Sequence, residues 1–495
     1  MLDSLIHKLT PNYTNLKHWT VFGILSAVSF FVRFPFFFRD YVDRDESTFI
    51  LMAQSWVDGN LPYTELWDLK PPIAFLFFAV VIYLFGKSFL AIRFAGVIIV
   101  ALTAFFTYRI TENLSSKKVA FWAGIICVAL QSMFGSIQGV MSEHICMVFL
   151  VPAVYIIILK KQWYWLGFAG VLMGMAIMVK LNMAYTVLFV GVYLIYHFVK
   201  EKKYLGGSVA IAAYGLGVIA IVVLTWLPYY LNGIQELWWK SVVIAPLDYA
   251  EASQNSIFKL VPPFVLIGAF LFFAWKQKYL DFKKTPIQLL LITLLGVLYA
   301  FFKGGRINSH YLIQLYPILL VFIVIVSSGF FTRLKLKLPK VLLLLLLLIP
   351  AESYLEYYRI VRHKIERGSF HNGEGITVPQ YLLENEIDTK NILFLEYHIG
   401  YWLLNEKPPT KAATHPSNIC KPEMFAAYNN PRNTAMEELQ YIMEYLRPKT
   451  LVTRKDRLIF DEKQTEPNNY IDAYIESHYE LLNTIDDAKI YRLLE

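Results

Sequence analysis

WTVFGILSAVSFFVRFPFFF, residues 19–38, carries a single charge, Arg33, and is followed within a few residues by four charges in a row, Asp43-Arg44-Asp45-Glu46. An apolar run of this length is what a helix needs to cross about 30 Å of hydrocarbon at about 1.5 Å of rise per residue. Four adjacent charges cannot stay in lipid without partners. The chain therefore passes from lipid into water near residue 39, and its architecture depends on how often it does so again.

Working outward, further apolar runs lie at about 88–110, 118–135, 141–159, 163–181, 183–199, 207–230, 257–275, 286–302, 310–331 and 338–351. A shorter run, Pro71 to Gly86, opens on Pro71-Pro72 and is expected to be re-entrant or interfacial. Composition agrees: of 495 residues 56% are hydrophobic and 17% charged, with mean hydropathy +0.45. Soluble domains have about 45–50% and about 25%. The excess cannot be buried in a water-soluble core, and the same numbers exclude disorder, a collagen-like repeat and a disulfide scaffold. No small-residue cleavage site follows the first run, so it is expected to stay as a span. Cys127, Cys146 and Cys420 show no metal-ligand spacing, and no disulfide is expected.

The net charge of +8 reports topology. Lys160 and Lys161, then Lys200, Lys202 and Lys203, then Lys276, Lys278, Lys283 and Lys284, then Arg333, Lys335, Lys337 and Lys340 recur at alternate loops, the pattern of cytoplasmic loops. Nucleic acid is not an expected partner; membrane lipid is. Residues 39–87 then lie outside, as do the loops near Ser136 to Glu143, Lys180 to Asn182, Asn232 to Ser256 and Lys303 to Ser309, provided that Pro71 to Gly86 does not fully cross. From Glu352 the composition becomes that of a soluble domain, with strands expected at Ile392 to Tyr397, Thr450 to Thr453 and Ala488 to Leu494 and an amphipathic helix at Thr434 to Leu446. The expected fold is an all-α polytopic membrane domain of about 11–13 transmembrane helices, residues 1–351 with a large first outer loop 39–87, followed by a small soluble extracytoplasmic α/β domain, residues 352–495.

The outer loop holds the densest polar chemistry. Phe49, Met52, Ala53 and Trp56 recur at helical spacing, so Glu46 to Gly59 is expected to be a surface helix with Asp45 at its N-cap. One reading of Asp43, Asp45 and Glu46 is a helix cap with solvated neighbours. The other takes in the second polar set, Glu65, Asp68 and Lys70. A lysine at Lys70-Pro71-Pro72 either snorkels or opposes an anion. A cation for a phosphate leaving group and a carboxylate for the nucleophile's proton are what inverting transfer from a phospho-sugar requires.

Arg44-Asp45-Glu46-Ser-Thr-Phe, Met52-Ala-Gln with Asp58-Gly59, Lys70-Pro71-Pro72, Phe85-Gly86 and Arg93 resemble the first outer loop of the GT-C glycosyltransferases, in the group of protein O-mannosyltransferases and aminoarabinose transferases. Gly174-Met-Ala-Ile-Met-Val-Lys180 is similar to that group's glycine-rich span ending in lysine, and His310-Tyr-Leu-Ile-Gln-Leu-Tyr-Pro317 to its histidine, tyrosine and proline signature. The resemblance, over about residues 20–330, implies a polyprenyl-phosphate-linked sugar donor and an inverting transfer to an acceptor hydroxyl on the extracytoplasmic face of a bacterial-type inner membrane. It implies Asp45 as catalytic base with Glu46 beside it, Lys70 at the donor phosphate, and Asp43, Glu143, Lys180, His310 and Tyr311 at substrate. The outer loop 232–256 lacks the arginine often found in relatives, which turns attention to Lys303 and Arg306 as further phosphate-binding cations; lipid-headgroup anchoring is the alternative for both. No cofactor is implied, although the acidic residues leave room for a divalent metal. The acceptor, whether protein, glycolipid or polysaccharide, is not readable. The rival function is a transporter or lipid-sugar flippase, for which charges near the midplane and two related halves are expected.

Overall fold

The computed structural model describes residues 13, 15–40, 43–133, 135–252, 257–304, 308–335, 350–428 and 430–494. Two compact units are formed. One comprises Met1–Phe34, Arg93–Val222 and Gln254–Leu355; the other comprises Pro35–Ile92, Val223–Ser253 and Glu356–Glu495.

Among the described residues seven helices are long and apolar enough to cross a membrane: His18–Phe38, Phe89–Leu114, Ser142–Leu159, Met183–Lys200, Tyr204–Leu231, Thr285–Gly304 and Tyr316–Arg333. Shorter apolar helices lie at Pro72–Phe85, Trp163–Val179 and Val261–Lys276, and a further one at Lys117–Leu130. Most of the run expected at 338–351, and Arg306, lie outside the described residues. The first unit is all helical packing. Val21 and Leu25 meet Val100, Ala104 and Tyr108, and Ala120, Phe121, Cys127, Val128 and Leu320 complete the cluster. Lipid gives helices no hydrophobic reason to associate, so close backbone approach has to supply it. Gly174 does this: a Cβ there would stand 2.8 Å from the Val218 carbonyl oxygen of Tyr204–Leu231. The three cysteines are buried and free.

The second unit joins the helices between residues 44 and 85 to a small sheet. Helix Arg44–Val57 packs on Pro72–Phe85, with the Phe49 ring 6.1 Å from Phe75 and 5.8 Å from Phe78. Pro71 and Pro72 start the second of these, where a missing N–H costs nothing, and Gly86 stops it at φ 71°. Its 14 residues rise about 21 Å, short of about 30 Å of hydrocarbon. Strands β1 (Leu393–Phe394), β2 (Thr450–Arg454), β3 (Tyr479–Ile485) and β4 (Ala488–Leu493) form one sheet in the order β1-β2-β4-β3. β1 runs parallel to β2 with Leu393 opposite Leu451, and β4 is antiparallel to both β2 and β3.

Several elements differ from expectation. The strand expected over Ile392 to Tyr397 is only β1, because Tyr397 turns the chain at φ 57° into helix Gly400–Leu404. The helix expected over Thr434 to Leu446 is α only to Gln440 and widens to π over Tyr441–Leu446. β3, with its mixed burial, is an edge strand that hydrophobic alternation does not reveal.

Candidate active site

The helix Arg44–Val57 begins two residues earlier than its apolar spacing suggests. Its N-cap is Asp43, in extended geometry, whose Oδ1 accepts a hydrogen bond of 2.8 Å from the Asp45 amide. The expectation that Asp45 caps the helix is therefore corrected: the cap is taken by Asp43, which leaves the Asp45 carboxylate for other partners. Arg44 fixes this start through both its guanidinium edge and the Glu396 carboxylate, with Nε 3.2 Å from Oε1. Asp45 and Glu46 stand in the first turn, where the helix dipole favours negative charge. Glu46 is buried.

Lys70 Nζ donates to Asp45 Oδ2 at 3.3 Å, with side chains 20% and 27% exposed. The same ammonium lies 5.5 Å from the centre of the Phe49 ring. Two backbone bonds hold the lysine in place: its amide donates to Asp68 Oδ2 at 3.2 Å, and its carbonyl accepts from the Tyr63 hydroxyl at 2.6 Å. Burial raises the Asp68 carboxyl above the usual range; Lys70 opposes this and Asp45 adds to it. Glu65, which belonged to the same polar set in the sequence, is engaged by Ser55, Asn60 and Lys407.

Residues that sequence reasoning missed complete this cluster from the C-terminal segment. His415 Nε2 stands 3.8 Å from Asp45 Oδ1. His398 Nε2 donates at 2.9 Å to Thr48 Oγ1, whose own hydrogen goes to the Arg44 carbonyl. The two imidazoles are 5.5 Å apart. Desolvation pushes His398 down to about 3, with Arg44 in the same direction. It also holds His415 well below the ordinary histidine range, with Lys421 the next cause. The one signal in the sequence was Glu396 and His398 interrupting an otherwise apolar stretch, and it gave no partner.

A second polar cluster lies in the first unit. Glu143, in the first turn of Ser142–Leu159 and 1% exposed, pairs with Lys180 and accepts from Ser142 Oγ at 3.1 Å. His310 Nε2 lies 3.9 Å from Glu143 Oε1, and Lys180 Nζ lies 3.8 Å from the centre of the Tyr311 ring. A buried ammonium needs such partners: a carboxylate and a ring face offset its lost hydration. Four expected substrate residues from three separate segments are thus brought together. Lys303 is exposed at the end of Thr285–Gly304. Among the described residues no group of three or more His, Cys, Asp or Glu side chains is placed to hold a metal ion.

Residues 69–229 match the family model of dolichyl-phosphate-mannose-protein mannosyltransferases. ArnT from Cupriavidus metallidurans, in a crystal structure bound to undecaprenyl phosphate, superposes with a TM-score of 0.61 at 12% identity, over 96% of this chain and 97% of that one. The chain carries the GT-C fold. The same ArnT in its apo state superposes equally, with a TM-score of 0.61 at 14% identity, over 94% of this chain and 97% of that one. The oligosaccharyltransferase of Archaeoglobus fulgidus, tethered to an acceptor peptide, has the same GT-C architecture, with a TM-score of 0.51 at 11% identity over 97% of this chain and 74% of that one. No curated protein matches by sequence. The region that matches the family model holds Lys70, Glu143 and Lys180, whereas Asp45 and His310 fall outside it.

Proposed function

We propose that this GT-C protein is an integral membrane inverting glycosyltransferase that moves a sugar from a polyprenyl-phosphate donor to an acceptor hydroxyl at the extracytoplasmic face of a bacterial-type inner membrane. The observation that carries the reading is the 3.3 Å pairing of the Lys70 ammonium with the Asp45 carboxylate at a helix start. The undecaprenyl phosphate bound by ArnT supports a lipid phosphate as the leaving group.

In this reading Asp45 takes the acceptor's proton as the acceptor oxygen bonds to the anomeric carbon. The bond from that carbon to the phosphate oxygen breaks, the electron pair stays on the phosphate, and the anomeric configuration inverts. Lys70 opposes the new charge, as a cation fixed in a partly dehydrated site does best. Asp43 and Glu46 shape the helix start. We assign Glu143, Lys180, His310 and Tyr311 to substrate binding, and Lys303 and Arg306 to the phosphate.

The test incubates purified protein with undecaprenyl phosphate carrying a labelled sugar, a panel of hexoses and pentoses, and membranes that supply acceptor. Label is expected to leave the lipid for one of the panel, with undecaprenyl phosphate released and the anomer inverted. Label that crosses a vesicle bilayer while still attached to the lipid would make the protein a flippase.

A further inference from the structure

His415 reaches the site from a segment some 370 positions after Asp45 in the sequence, and two features of its surroundings settle what it can do there. First, its Nδ1 accepts from the Ser417 backbone amide at 3.2 Å, and the Ser417 hydroxyl oxygen lies 2.9 Å from the same atom. A backbone N–H only donates, so Nδ1 holds a lone pair and the ring proton is on Nε2. Second, the residue is only 8% exposed, which disfavours the imidazolium. The atom facing Asp45 Oδ1 is therefore a neutral N–H donor. At 3.8 Å it is longer than a direct hydrogen bond, and catalytic contacts of this kind commonly tighten only when substrate is bound.

We propose that His415 is a positioning residue for Asp45: a neutral imidazole, held by Ser417, whose Nε2–H is aimed at the carboxylate that takes the acceptor's proton. Lys70 on Oδ2 and His415 toward Oδ1 together orient the carboxylate. The ring is not a proton relay, because Nε2 already carries hydrogen and Nδ1 is engaged. The inference rests on the reading of Asp45 as the base. It also gives the C-terminal segment a part in the chemistry, which the membrane helices alone do not provide.

A donor aimed at a carboxylate favours the ionised form, so its loss raises the carboxyl's proton affinity. The other charged or titratable groups facing the pair are Lys70, Asp68, Arg44, Lys421 and the neutral His398, with Glu46 adjacent to Asp45; all stay in place in the test. The protonated-carboxyl stretch of Asp45, isolated by infrared difference against Asp45→Asn, is titrated in full-length protein carrying His415→Leu, His415→Ala or His415→Gln. The first two are expected to raise the midpoint by about one pH unit, a roughly tenfold change in proton affinity. Gln places an amide N–H near the same point and is expected to recover most of the shift. The acidic limb of kcat/KM is expected to move with the midpoint. If Leu and Ala leave the midpoint within about 0.2 units, or Gln shifts it as far as they do, the inference is wrong; a purely structural role would not produce the Gln rescue. Undiminished sugar transfer by Asp45→Asn would overturn the reading of the base and leave the midpoint result standing by itself.

Discussion

At the scale of single residues, the acidic cluster shows why a motif's chemistry is easier to read than its division of labour. Asp43-Arg44-Asp45-Glu46 announces a helix start, since each acid suits the first turn. Which acid caps depends on where the backbone leaves extended geometry, and the grip of Glu396 on Arg44 from 352 positions away bears on that point. The spacing from Asp43 to Glu46, a capping residue followed three positions later by a glutamate, is the local pattern that marks Asp43, and the apolar spacing alone does not show it. Lys70 was legible because a lysine before Pro71-Pro72 sits where the chain returns toward lipid, although its Asp45 partner was not. Lys70→Met keeps the apolar stem and removes the charge. A charge-assisted hydrogen bond to phosphate contributes about 1.5–3 kcal/mol, so undecaprenyl phosphate is expected to bind roughly ten- to a hundredfold more weakly, with little change in thermal stability. Lys70→Arg is expected to recover only part of this, because a planar fork replaces a compact charge poorly. Parent-like binding by the methionine variant would limit Lys70 to its pairing with Asp45 and remove it from the phosphate site.

Secondary-structure elements were legible where lipid or a repeating face dictated them. The spans follow from length and apolarity, and helix Arg44–Val57 from the spacing of Phe49, Met52, Ala53 and Trp56. What failed were elements whose form depends on neighbours: the truncated β1, the π turn at Tyr441–Leu446 and the edge strand β3. The histidines of the Gly400 and Pro416 regions belong here too, since burial, not sequence, makes them neutral. His398 and His415 both bind protons less readily in the fold than an unfolded histidine does. The unfolded chain therefore takes up protons first as pH falls below about 6.5, and stability is lost from there downward, for His398 until about pH 3. Each contributes a slope of at most about 1.36 kcal/mol per pH unit. Chemical denaturation of the purified protein between pH 7.5 and pH 5 is expected to show this loss, and His398→Gln, which keeps a donor for Thr48, is expected to flatten it. An unchanged slope in that variant would mean that His398 does not stay neutral in the fold.

For the whole molecule, composition pointed to a membrane protein, and the basic loops predict an orientation on which the proposed outer-face chemistry rests. The order of weak motifs along the chain pointed to a GT-C fold, which the likeness to ArnT bears out. The sequence did not show that residues after Glu356 cluster with 35–92 and 223–253, because contacts separated by hundreds of residues leave no periodic trace. Everything in the proposed reaction converges on one proton, the one Asp45 is to take from the acceptor. Asp43 is the helix cap, so Asp45→Asn leaves the helix start intact while removing the base. The decisive measurement is transfer of labelled sugar from undecaprenyl phosphate by parent and Asp45→Asn protein, with undecaprenyl phosphate binding followed in parallel. Loss of a base is expected to slow transfer by about a hundred- to ten-thousandfold while lipid binding is kept. An Asn variant that retained more than about a tenth of the parent's rate, a loss far below that range, would contradict the assignment of Asp45 as the catalytic base.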